Sequence, residues 1–231
     1  MSAIIFQNCE DQAFVATDTL ASDHEGRPGL FRSKAFYVPH LKTIVFATGF
    51  AEMLENWFVY INRRLMVDGV EHLDAFAPEA LDELWASLRQ EMGGVMDQHQ
   101  CQSTTVHHMG VSEVTGKIVV YVYRSTTGFA SERLPPGLAV KPECTLPEGE
   151  ADIFELMKEM RHIQKSSGLP LNQQVHIGGE VQLYQLTPQG CEISTYARFD
   201  DYNEARAKMQ REIDARRYLQ EWEQSLGDKS Y

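Results

Sequence analysis

The sequence predicts an α+β fold, an α/β/β/α sandwich of two largely antiparallel sheets with helices outside. Two observations lead there. Short β-rich runs separated by turn residues come in blocks, and most blocks give way to segments whose apolar residues recur at helical period. The resulting order is strands, two helices, strands, helix, strands, helix. It pairs neighbouring strands by hairpins and leaves the helices to cover the sheets.

The first block holds AIIFQN (3–8) and QAFVATDT (12–19), a hairpin around CED, followed by KAFYVP (34–39) and TIVFATG (43–49) around HLK. Between the two pairs, LASDHEGRPGLFRS (20–33) carries two glycines and a proline and reads as loop, with a turn at GRPG. From Phe50 the period changes, and Met53, Leu54, Trp57, Phe58 and Ile61 fall on one helical face. DAFAPEALDELWASLRQEM (74–92) does the same with Ala80, Leu81, Leu84, Trp85 and Leu88, with Pro78 in a first turn, where proline is tolerated. Residues 104–134 alternate as a three-stranded meander with turns at EVTGK and STTG. A proline-rich connection (135–150), a third helix (150–167), a hairpin turning at TPQG (176–199) and a long terminal helix (201–226) complete the chain. Neither a repeat nor a composition break marks a second domain, so 1–231 reads as one domain, with 200–231 a C-terminal helical extension.

With 33 acidic against 21 basic residues, the formal charge of −12 argues against long-range attraction to nucleic acid or anionic membranes. The basic residues of the terminal helix, Arg206, Lys208, Arg211, Arg216 and Arg217, are interleaved with Glu204, Glu212 and Asp214, the pattern of a solvated face. No run approaches the ~20 apolar residues of a membrane span, and the first residues lack a secretory signal, so a cytoplasmic location is expected. Cys9, Cys101, Cys144 and Cys191 form no CxxC pair and read as buried or half-buried thiols. His107 and His108 are adjacent in a strand, face opposite sides and cannot share an ion; Asp23 and His24 are read as loop residues, and no metal or cofactor is expected. Gly178 and Gly179 lack the GxGxxG or GxxxxGK[ST] context of a nucleotide site.

SAIIFQNCEDQAFVATDTLAS, the lysine-led strand in SKAFYVP, the TIVFATGFAEML turn into a helix and the HIGGEVQLYQLTPQG hairpin together resemble proteasome-type β subunits. The resemblance is to N-terminal-nucleophile (Ntn) hydrolases of the proteasome, HslV and Anbu type, and runs from Ser2 to about Gly190. In that family the mature chain begins with the nucleophile, with an aspartate sixteen and a lysine thirty-two residues later; counted from Ser2, Asp18 and Lys34 stand there. Gly49 lies where the family's oxyanion-binding glycine opens the first helix. The sequence departs from the family in the residues that support these four. QVHIGG has Gln174 and Ile177 where a supporting aspartate and serine are usual, and RLPPGLAVKPE lacks the serine-containing glycine loop.

These residue types suit acyl transfer. A serine hydroxyl needs a base, and a free α-amine titrating near about 7.7–8.0 supplies one within the same residue. Protonated Lys34 would favour the alkoxide, Asp18 would hold Lys34, and the Gly49 N–H would bind the oxyanion. Initiator methionine is generally removed before serine, so the resemblance implies Ser2 at the terminus. It further implies a peptide or protein substrate, a homo-oligomer of stacked rings, and room for an ATP-driven unfoldase as partner. Two other readings stay open: an inactive structural ring subunit, and an Ntn amidase acting on a small molecule.

Overall fold

A computed structural model describes residues 3–23, 25–64, 66–98, 102–144 and 152–227. The first sheet is built on the opening hairpin, β1 (Ile4–Asn8) and β2 (Ala13–Asp18), closed by the Cys9 N–H donating to the Gln12 carbonyl at 2.9 Å. The 20–33 segment, expected as loop, is a small ribbon, β3 (Leu20–Ser22) with β4 (Pro28–Phe31). Its turn is made by Asp23, whose Oδ1 accepts the amides of Glu25 and Arg27 at 3.0 and 2.9 Å, an Asx-type closure that leaves the flanking residues extended.

The second sheet begins with β5 (Ala35–Val38) and β6 (Thr43–Thr48), and the helical period then starts as expected with α1 (Ala51–Arg64), which buries Met53, Leu54, Trp57 and Ile61. The second helix, α2, runs over Val70–Gln98, about one turn longer at its start than the sequence suggested, so Pro78 lies inside the helix and not in its first turn. Its cap is remote. Glu113, in the turn of the following hairpin, accepts the first-turn amides of Glu71 and His72 at 3.1 and 2.6 Å, a tertiary partner that no local signal announces.

The meander follows as β7 (Thr105–Val111), β8 (Ile118–Arg124) and β9 (Ser131–Leu134). The stretch expected as a proline-rich connection contains a fifth strand of the first sheet, β10 (Gly137–Lys141), pairing with β1 from Ile4↔Lys141 to Asn8↔Gly137. Prolines bracket it because it is an edge strand, where missing N–H groups cost no ladder bond. Helix α3 (Ile153–Ser166), capped by Asp152, then leads to the hairpin β11 (Glu180–Thr187) and β12 (Gly190–Arg198), and α4 (Tyr202–Gly227) follows.

Both five-stranded sheets are antiparallel throughout, in the orders β10-β1-β2-β11-β12 and β5-β6-β7-β8-β9. Strand alternation sorts their apolar residues into three cores. Ile4, Phe6 and Val15 of the first sheet meet Ile44, Phe46, Met109 and Val120 of the second. The opposite face of the second sheet packs on α1 and α2 through Val45, Trp57, Leu81 and Tyr121. The opposite face of the first packs on α3 through Ile5, Ala16, Met157 and Met160. The chain is thus a mixed α/β protein with antiparallel sheets. Among the described residues no helix is long and apolar enough to cross a membrane.

Candidate active site

At the end of the first sheet, where β2 leaves its ladder, Asp18 is fully buried. Its carboxylate is saturated: Oδ1 accepts from the Lys34 ammonium at 2.6 Å and the Ala3 amide at 3.3 Å, Oδ2 from the amides of Gly178 at 3.0 Å and Leu20 at 3.3 Å. A buried carboxylate is tolerated only with such a complement of donors. Lys34, just before β5, spends two of its three donors, on Asp18 and on the Leu20 carbonyl at 2.7 Å, and is 6% exposed. The ion pair therefore ties three segments together: the start of β1, the β2–β3 junction and the start of β5.

Of the four residues singled out from the sequence, the structure brings Asp18 and Lys34 into contact and sets Gly49 on the same cleft as Lys34. Ser2 lies outside the described residues. The first described residue is Ala3, and its amide is the group that meets Asp18.

Gly49 ends β6 with φ of +106°, in the left-handed region, and a Cβ there would collide with the Ser103 carbonyl and approach the Thr104 Cα to 2.9 Å. Only glycine fits this turn. The Thr48 carbonyl, which shares a planar peptide unit with the Gly49 N–H, accepts from the Thr104 hydroxyl at 3.0 Å. Because the peptide is trans, fixing the carbonyl on one side aims the N–H to the other.

The cleft has a volume of about 780 Å³. Ser22, Ser33, Lys34, Thr48 and Gly49 line it, together with Met209 and Ile213 of α4. Arg32 also faces it, paired to Glu55 and, at 3.7 Å, to Glu52 on α1. Tyr202 stacks on Phe31 at 5.1 Å and anchors α4 beside the cleft. Its lining from α4 had no signal in the sequence beyond the apolar Met209 and Ile213 among charges.

The glycine pair has a structural task. Gly178 lends its amide to Asp18, and its carbonyl accepts from Thr19 and Leu20 at 3.2 and 3.1 Å. Gly179, at φ of +80°, lies where a Cβ would strike the Thr19 hydroxyl and Phe31. Ile177 is buried in the core under α3, and Gln174 lines the cleft with its amide spent on the Leu169 carbonyl at 2.7 Å.

His107 and His108 face opposite sides of their strand, as alternation requires. His107 stacks on Phe46 at 4.7 Å between the sheets. His108 accepts from the Trp57 indole N–H at 2.8 Å under α1, so its Nε2 is unprotonated and the ring neutral. Burial lowers both to about 3. Among the described residues no cluster of His, Cys, Asp and Glu could hold a metal ion. Asp23 is engaged with Arg27; His24 and Cys101 lie outside the described residues. Cys144 and Cys191 are half-buried, with burial pushing Cys191 up to about 11, but Cys9 is exposed in its hairpin turn, against the expectation of a sheltered thiol.

No protein-family model matches the chain, and no curated relative matches it in sequence. Solved structures do match it. One is a mutant (Gly-1) of Anbu from Hyphomicrobium sp. strain MC1, superposing over 95% of this chain and 96% of that one with a TM-score of 0.58 at 11% identity. The chain thus shares the fold of Anbu.

Proposed function

We propose that this protein is a proteasome-like Ntn hydrolase that cleaves peptide bonds through an acyl-enzyme on Ser2. The observation that carries the reading is the buried Asp18–Lys34 pair, joined by the Ala3 amide and opening onto the cleft that holds the Gly49 turn. The likeness of fold to Anbu over nearly the whole chain supports it. On this reading the two sheets and their helices form the four-layer α/β/β/α sandwich of a single domain, acting in the cytoplasm as a subunit of a homo-oligomeric ring.

The chemistry follows from these residues. With Met1 removed, the Ser2 α-amine takes the proton of the Ser2 hydroxyl as Oγ attacks the scissile carbonyl carbon. The Lys34 ammonium lowers the cost of the alkoxide, and the Gly49 N–H donates to the tetrahedral oxyanion. Collapse breaks the C–N bond, and the leaving amine takes the proton from the α-ammonium. Water, deprotonated by the same amine, then attacks the ester, releasing the carboxylic acid product and restoring the serine. Activity against a library of fluorogenic peptides that disappears in Ser2→Ala, with assembly unchanged, supports the reading; equal hydrolysis by the variant overturns it.

A second reading, an inactive structural subunit, is favoured by Ile177 lying in the core and by a lysine–proline pair, Lys141–Pro142, in the stretch where the family's serine-containing loop belongs. It predicts normal assembly, no hydrolysis and no acylation.

A further inference from the structure

If Gly49 is to bind an oxyanion, as the proposed hydrolase function requires, its N–H must be held in one direction. The Thr104 hydroxyl holds the carbonyl side of that peptide unit, but a plane pinned at one oxygen can still rock about its flanking bonds. A second restraint comes from the other sheet. Lys141 ends β10 directly opposite Ile4, so the two share the face turned toward the second sheet. Although the residue is exposed at the sheet's edge, its ammonium reaches inward to donate to the hydroxyl of Thr48, itself 4% exposed, at 2.8 Å. Thr48 is thus gripped at its side chain by β10 and at its carbonyl by Thr104, while the Ser103 backbone closes on Gly49.

The placement of this cation is costly. Burial and the charge of Arg124 on β8 both lower the Lys141 pKa, and Lys141 in turn acts on His107 of β7, which is neutral. A polar uncharged residue could have made the same hydrogen bond from a shorter distance, but β10 lies across the gap between sheets, and a long side chain is needed to bridge it.

We infer that Lys141 is a positioning residue of the proposed active site, fixing the Thr48–Gly49 peptide, and with it the oxyanion donor, against the strand that follows the nucleophile. The lysine supplies the link between β10 and the oxyanion turn.

The test is acylation by a β-lactone probe, with the limiting rate and the half-saturating concentration measured separately. Lys141→Met should slow the limiting rate roughly 10- to 100-fold, the scale of a misplaced reacting group, with little change in half-saturation. Lys141→Arg should recover part of the loss, and Thr48→Val should reproduce it. The double variant Lys141→Met/Thr48→Val should be no slower than either alone, because both break one link. Melting temperatures establish that each variant is folded. A Lys141→Met protein that acylates at the wild-type rate, or losses that add in the double variant, overturns the inference while leaving the hydrolase reading intact. If the wild type takes no adduct, the hydrolase reading fails and the catalytic role of Lys141 fails with it. Faster hydrogen exchange at the Gly49 amide in Lys141→Met would then attest only a structural tie.

Discussion

Asp18, at the end of the central strand of the first sheet, with Lys34, and His107 with His108, on the central strand of the second, are both pairs of buried titratable residues, yet they meet burial in opposite ways. The first pair is an ion pair at 2.6 Å, with backbone amides filling the remaining carboxylate positions. The second has aromatic neighbours, Phe46 and Trp57, and sheds its charge. The difference teaches where chemistry can reside. A fixed charge facing a cleft can act on a reacting group, whereas a neutral ring sealed between layers can only support the fold.

The largest effect should come from breaking the charged pair. Lys34→Met leaves a fully buried carboxylate without its counterion, and about 3–5 kcal/mol of stability should be lost in urea denaturation, with part regained by adding Asp18→Asn. A loss under about 1 kcal/mol would mean the pair is not the tie that joins β1, β2 and β5.

The histidines sharpen the contrast through pH. Their folded pKa of about 3 lies below the unfolded value of about 6.5, so the unfolded chain binds protons that the folded chain refuses. Their contribution is complete above pH about 6.5 and falls away as pH drops toward 3; by pH 5.5 the pair should cost about 3 kcal/mol. His107→Phe, which keeps the stack on Phe46, should remove about half of that slope, and an unchanged slope would place the acid sensitivity elsewhere.

Gly49→Ala probes backbone and not charge: strain at a φ of +106° and the collision with Ser103 should cost about 1–3 kcal/mol by thermal melting, and acylation should fall further than stability alone explains. The smallest change should follow Glu132→Ala, which breaks an exposed ion pair with Arg124 and should move stability by at most about 1 kcal/mol, less in high salt.

Much of this was legible in the sequence because it depends on local pattern. The β-rich runs IIFQN and AFVATD and the helical face of Met53, Leu54, Trp57 and Ile61 appear in the structure as the sequence implied, and Asp18 and Lys34, sixteen residues apart in the chain, are in contact there. What escaped depends on partners distant in the chain. Strand β10 hides between prolines because its ladder is made with β1, more than a hundred residues away. The start of α2 is set by Glu113, and the ribbon β3–β4 by an Asx turn inside a glycine-rich stretch. In the site, Thr104 and Lys141 gave no signal at all, since neither belongs to a spaced motif; each acts by reaching Thr48 across a strand or a sheet.

The central claim is that Ser2 is a working nucleophile supported by Lys34, and intact mass spectrometry of the native protein before and after incubation with a β-lactone probe tests it most directly. The account predicts a chain lacking Met1 that gains one adduct, mapped to Ser2 and absent in both Ser2→Ala and Lys34→Met. Retained Met1 with no adduct, or an adduct mapped to another residue, would contradict it.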